Sequence, residues 1–467
     1  ALFSTATIPI IYLIGKRLAG VMVGMVAAVF LALSPFNIYF AQEARMYALL
    51  AFTAAVAIYA LVWLLTDARA VRPIGSQLLE YVHAWRTLGP LAPENAGDFS
   101  YADKARRPPP WRAWIGRHRW SPIQTVATDL AWITSVVFSA AALLTHSTAI
   151  FFLLAANLFV LGLFLVRKRK PAGAPPALQA PSPANWMKAQ IGIFLLWSPW
   201  LIAFVQQARR VDQEFWIPPP TAASIAQTFR SLLNTPAPGQ SFQVTMTWFL
   251  VALLCLGLVY FRKKPSIFFL LATLFAVPFL GELLVSIRRP IFFEHTLIWT
   301  TIPLLLLLAA GIAQLRFRLL MILVVGIIAT NYLFAAGDYY RFYQKEDWST
   351  AAGYVANFVE KDDLVLFNSN FVAIPFNYYF EPYAELYSIE VIKQGVPLDL
   401  FADGVLEPKM TAADIPQLIS LINEHDRVWL VYSHDWYTDP LGLIPQTLAA
   451  QKELARTREF YGGKVQL

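Results

Sequence analysis

Cysteine and charge are both scarce in this chain. Its one cysteine, Cys255, lies inside an apolar run, which excludes an intrachain disulfide framework and any CxxC zinc or redox site. Only 14% of the 467 residues are charged, against about 25% in soluble domains. The opening at Ala1 has neither Met nor a charged n-region, so no signal peptide is recognisable and the sequence reads as truncated at that end. No repeat of fixed period is found.

What the chain does have is apolar surface. Some 57% of residues are apolar, with 34 Phe, 19 Tyr and 15 Trp, and the mean hydropathy is +0.50. That composition cannot wrap the roughly three soluble domains the length would otherwise suggest, so most of the chain belongs in a bilayer. A pI of about 9.3 does not signal nucleic acid, because the basic residues fall in short clusters between apolar runs, as membrane topology requires.

A span needs about 20 mostly apolar residues. Ten stretches qualify: 1–15, 18–36, 46–65, 126–145, 148–166, 189–206, 244–261, 267–287, 297–315 and 319–336. Pro9, Pro199, Pro278 and Pro303 fall inside them, which neighbouring helices can tolerate in a membrane. Connections after the odd-numbered spans hold 21 Lys and Arg, and the others six, so the first set is expected in the cytoplasm. One of these is a long insertion, 66–122, with an expected surface helix near Gln77 to Leu88; 171–184 reads as a Pro/Ala linker.

Residues 338–467 hold 19 acidic and 10 basic residues, net −9, whereas residues 1–337 are net +16. A separate aqueous α/β domain is expected there, with strands at Asp363 to Phe367, Glu385 to Ile392 and Arg427 to Tyr432, and helices at Ala412 to Asn423 and Leu443 to Leu454. The expected fold is therefore an α-helical polytopic membrane protein of about ten spans, 1–337, with a C-terminal α/β extracytoplasmic domain.

Four groups of residues combine charge with the membrane boundary. Ser34 to Tyr47, SPFNIYFAQEARMY, packs Gln42, Glu43 and Arg45 together. If this stretch is helical, Glu43 and Tyr47 share a face while Arg45 points elsewhere. These charges either snorkel to the interface or face a cavity. Arg288 and Arg289 precede Glu294 and His295 in RRPIFFEH, and paired guanidinium forks suit a phosphate, though lipid headgroups or Glu294 would also satisfy them. Around Ser224 to Leu233 an amphipathic stretch offers Arg230 as an anion contact, with Phe215 and Trp216 nearby as either site residues or an aromatic belt. His146, in THST, could face the same cavity. In the tail, Ser433, His434 and Asp435 are consecutive, which does not make a triad, since triads assemble in space.

The block Ser34, Pro35, Gln42, Glu43, Ala44, Arg45, Tyr47 resembles a motif of the GT-C glycosyltransferases, in the bacterial group related to protein O-mannosyltransferases and the lipid A aminoarabinose transferase. Thr145-His146, Ser198 to Trp200, Phe215-Trp216 and Asp347-Trp348 are similar landmarks. The resemblance implies transfer of a sugar from a polyprenyl-phosphate donor to a glycan, lipid or protein acceptor at the outer face, with membrane lipids as further partners. An acceptor hydroxyl would attack the anomeric carbon as phosphate leaves, which calls for a carboxylate base and cations on the phosphate. The family's leading carboxylate lies between the first two spans, so here it is expected upstream of Ala1. Glu294-His295-Thr296 departs from the family's Arg-Tyr pair, and the 66–122 insertion is unusual.

On this reading Glu43, Arg45, Tyr47, His146, Arg230, Arg288, Arg289 and Glu294 are the candidate substrate-binding residues. No cofactor is implied and no metal-ligand cluster stands out, while a divalent cation at the phosphate stays open. The rivals are a transporter or flippase of lipid-linked saccharide and a non-catalytic binder of the carrier. A flippase calls for related halves or polar residues at mid-bilayer, whereas no halves are evident here and the charged motifs cluster at the outer ends.

Overall fold

In the computed structural model, residues 1–67, 70, 121–167, 178–211, 219–233, 240–343, 345–402 and 407–467 are described. The body of the 66–122 insertion with its expected helix, the first half of the 171–184 linker (171–177), and Phe215 with Trp216 lie outside these residues. The chain forms two compact units, Ala1–Tyr340 and Arg341–Leu467.

In the first unit, α1 (Leu2–Ala19) and α2 (Val21–Leu33) lead into the short α3 (Pro35–Gln42) and then α4 (Tyr47–Thr66). After the insertion come α5 (Ser121–Thr145), α6 (Ile150–Arg167), α7 (Pro183–Trp197) and α8 (Leu201–Val211). The series ends with α9 (Ala222–Leu232), α10 (Gln240–Tyr260), α11 (Pro265–Ser286), α12 (Thr301–Ala313) and α13 (Arg318–Phe342). Among the described residues nine helical segments are long and apolar enough to cross a membrane, or ten if the bent pair α2–α3 counts as one span. The protein is thus a multi-pass membrane protein.

The core is built around α4 and α12, which are buried on nearly every side. Peripheral helices are apolar all round but bury one face only, leaving residues such as Leu319, Ile322 and Leu284 exposed, as lipid-facing helices do. At the crossing of α10 and α12, Gly257 approaches the Leu307 carbonyl and Gly311 the Leu253 carbonyl too closely for any added Cβ. Small residues here let two backbones touch.

The prolines sort into two kinds. Pro9 and Pro278 are internal to α1 and α11. Pro199 instead lies in the 3-10 turn Ser198–Trp200 between α7 and α8, and Pro303 in the first turn of α12, where no intrahelical amide is needed. Span two, expected as one helix over 18–36, breaks at Ser34, and the two pieces bend by 52°. Polar residues also occur within the spans: Trp186 donates to Asn157 at 2.8 Å and Asn157 to Gln190 at 2.9 Å, tying α6 to α7.

The second unit contains α14 (Trp348–Phe358), α15 (Asn370–Tyr387), α16 (Ile415–Asn423), α17 (Asp435–Thr438) and α18 (Leu443–Gln451). Five strands join them: β1 (Leu364–Phe367), β2 (Ile392–Gly395), β3 (Val428–Tyr432), β4 (Thr457–Phe460) and β5 (Gly463–Gln466). Sheet order is β2-β1-β3-β5-β4, parallel across the first three strands and antiparallel after, with Leu364 opposite Val428. β1 and β3 are wholly apolar because helices cover both faces: Val365, Phe367, Trp429 and Val431 meet α14 and α15, while Leu364, Leu366 and Leu430 meet α16 and α18. The strand expected at Glu385 to Ile392 is corrected, since α15 runs to Tyr387 and β2 starts only at Ile392. Val372, Phe376 and Phe380 at helical spacing fill the core, and the carbonyl freed by Pro382 lies on the exposed face, where water can serve it.

Replacing Gly311 by Ala should destabilise the first unit by about 1–3 kcal/mol through overpacking. The melting temperature of the detergent-purified protein reads this. Gly326→Ala, at a position with no neighbour within 4 Å, is the control, and equal melting of the two variants would refute the packing role.

Candidate functional site

The site grows from the break in span two. Ser34 caps α3: its Oγ accepts the Asn37 amide at 3.1 Å and the Asn37 side chain at 2.7 Å, with Pro35 at the first helical position. α3 ends at Gln42, whose side chain donates to the Tyr340 hydroxyl at 2.8 Å and accepts from the Tyr339 hydroxyl at 3.3 Å. The break thus brings the motif beside the end of the last span.

Glu43 to Met46 form a non-helical turn between α3 and α4. This overturns the helical reading that set Arg45 apart from Glu43 and Tyr47. The Arg45 Nε lies 4.0 Å from Glu43 Oε2, a long ion pair, and Arg45 also hydrogen-bonds the Tyr47 side chain. The turn folds three motif residues onto each other because it need not follow the 100° per residue of a helix. Arg45 stays 57% exposed while Glu43 is 22% exposed, so the guanidinium is the group presented to a ligand.

Two histidines complete this cluster. The Tyr47 ring lies 4.3 Å from that of His295 and 6.2 Å from that of His146, and Phe40 packs on Tyr47 at 5.5 Å. His295 interacts electrostatically with both His146 and Arg45. His146 sits between α5 and α6, where its Nδ1 lies 2.8 Å from the Thr148 hydroxyl and accepts the Thr148 amide at 3.2 Å. Nδ1 is therefore the acceptor, and a neutral ring carries its proton on Nε2. Burial pushes the His146 pKa below its ordinary value. The neutral ring is thus an N–H donor rather than a base.

His295 belongs to a 3-10 turn, Glu294–Thr300, that packs against α4, α9 and α11. Glu294 opens that turn, where its charge meets the positive end of the turn's amides. Behind it lies a residue that the sequence reading overlooked. Glu282, only 1% exposed within α11, has its carboxyl 2.7 Å from the Thr296 hydroxyl and accepts the Phe293 amide. A lone carboxyl inside a 22-residue apolar helix was the available signal, since ionisable groups in spans are costly and usually functional.

The remaining candidates lie elsewhere along these elements. Arg288 and Arg289 are exposed in the turn that closes α11, both backbone amides donating to the Val285 carbonyl. Arg230 sits in the last turn of α9, a helix started by a Thr221–Ser224 capping box. With Phe229, Trp248, Val251 and Cys255 it lines an apolar cavity of about 470 Å³ between α9 and α10, whose walls include no residue of the Tyr47 cluster. Among the described residues no group of three or more His, Cys, Asp or Glu could hold a metal ion.

A multi-span helical bundle with a broken second span and a C-terminal mixed sheet defines a polytopic membrane fold that recurs in a protein of known structure. The crystal structure of ArnT from Cupriavidus metallidurans bound to undecaprenyl phosphate matches 100% of this chain and 82% of its own, at a TM-score of 0.52 and 10% identity. Its apo state covers the same shares at a TM-score of 0.39 and 11% identity. At such identity the likeness is one of fold. No protein-family model matches the chain. No curated protein matches it either.

The lowered His146 pKa has a definite sign. Its stabilising contribution is complete above the ordinary value of 6.5 and is lost as pH falls below it, because the unfolded chain takes up the proton first. Melting temperature in detergent should therefore drop between about pH 7 and pH 5. His146→Gln should flatten that drop, and an unchanged profile would refute the assignment.

Proposed function

We propose that the protein transfers a sugar from a polyprenyl-phosphate donor to an acceptor at the outer face of the cell membrane, with its C-terminal α/β unit also outside. The carrying observation is the convergence of Arg45, Glu43, Tyr47, His146 and His295 where span two breaks. The fold shared with ArnT, which was captured with undecaprenyl phosphate, supports this reading, as does the resemblance of the Ser34 to Tyr47 block to GT-C enzymes. The excess of Lys and Arg in alternate connections supports the orientation.

In this proposal Arg45 contacts the donor phosphate. Charge builds on that phosphate as the glycosidic bond breaks, and a guanidinium already held in place stabilises it more in the transition state than in the ground state. Glu43 holds Arg45 from one side, and the Tyr47 hydroxyl meets it from the other. His146 offers its Nε2–H to a phosphate or sugar oxygen. Arg288, Arg289 and Arg230 supply further cations for phosphate or headgroup, and Glu294 orders the turn that carries His295.

Arg45→Ala should lower transfer from a labelled undecaprenyl-phosphate sugar by about 100-fold, the usual scale for losing one electrostatic contact to developing charge. Full-length protein in nanodiscs, with product resolved by mass spectrometry, provides the measurement. Unchanged turnover would remove Arg45 from the site.

A further inference from the structure

We infer that Glu282 is a positioning residue for the His295–Tyr47–Arg45 array, an inference that builds on the transfer reading above. Glu282 and Ser286 stand four residues apart on α11, on one face of the helix. The Ser286 hydroxyl accepts the Ile291 and Phe292 amides, each at 2.9 Å. Glu282 accepts the Phe293 amide and meets the Thr296 hydroxyl at 2.7 Å. Two polar side chains on a single helix face therefore clamp the chain from Ile291 to Thr296. Glu294 and His295 are the residues inside that clamp.

The consequence is geometric. Phe293 and Thr296 flank His295 in sequence, and both are tied to one buried carboxyl group. The ring of His295 is consequently held against Phe293 at 4.4 Å, Tyr47 at 4.3 Å and Phe40 at 6.0 Å. A 3-10 turn has poorer hydrogen-bond geometry than an α-helix and rarely persists beyond three or four residues, yet this one runs for seven, so an external tie is what its length calls for. Packing alone would be served by leucine, and a buried carboxyl costs free energy unless its donors are fixed. Through Tyr47, which Arg45 hydrogen-bonds, the clamp extends to the group that contacts phosphate.

The test uses the full chain in nanodiscs, with Glu282→Leu, Glu282→Gln and Thr296→Val. Carbethoxylation of His295 by diethyl pyrocarbonate, followed by mass spectrometry, reads the position of the ring without reference to transfer. Glu282→Leu should raise its rate by at least about tenfold, the factor that follows from losing even one buried hydrogen bond. Glu282→Gln, which keeps an acceptor oxygen, should restore the slow rate. Thr296→Val removes only a hydroxyl and gives the same comparison if the leucine variant fails to fold. In transfer kinetics the leucine variant should lose kcat more than KM, because ordering of the array matters most at the transition state. Unaltered His295 modification in both Glu282→Leu and Thr296→Val would overturn the positioning role. Faster modification in a protein that neither binds undecaprenyl phosphate nor transfers sugar would uphold the clamp and sink the transfer reading instead.

Discussion

A carboxyl group inside an apolar helix bundle must be given hydrogen-bond donors or it costs several kcal/mol, and Glu282 is given them by a turn that belongs to another part of the chain. That one constraint organises the Tyr47 end of the first unit. It sets the path of the chain from α11 into the 3-10 turn, it fixes the ring of His295, and it gives Tyr47 a flat partner to pack on. Arg45 can then sit against a rigid surface while remaining exposed to a ligand. A site of this kind is preorganised: the groups that meet charge are held by neighbours that do not themselves contact it.

Much of the architecture was legible because membrane spans announce themselves by length and composition, without regard to partners. Span positions needed only runs of about 20 apolar residues, and the shift from net +16 to net −9 marks a change of solvent. Ser34-Pro35 is also a readable helix start, since Ser caps and Pro fits the first position. What the residues did not disclose was the bend at that point, because a proline at a helix start and a proline within a helix look alike in one dimension. The 3-10 turn at Ser198–Trp200 and the placement of Pro303 show the same ambiguity resolved in three dimensions.

The candidate site was half legible for a related reason. Glu43, Arg45 and Tyr47 are adjacent in sequence and were found together, although their turn conformation was not foreseen. Glu282 and Thr296 lie fourteen residues apart, across a loop whose closure no periodicity encodes. His295 was not among the candidate residues, because its meaning depends on Tyr47 from a distant helix. In the second unit α15 was missed because Pro375 and Pro382 interrupt its pattern, while the all-apolar β1 and β3 stood out.

The kink at Ser34 carries one more implication. α2 has 13 residues, about 20 Å of helix, so it stops short of a hydrocarbon layer of about 30 Å. The chain then turns through 52° into α3 before reaching its charged turn, so only the two pieces together reach the length of one span. The lipid-linked donor proposed above would therefore meet Arg45 at the end of a jointed span, where the chain changes direction instead of running on as one helix.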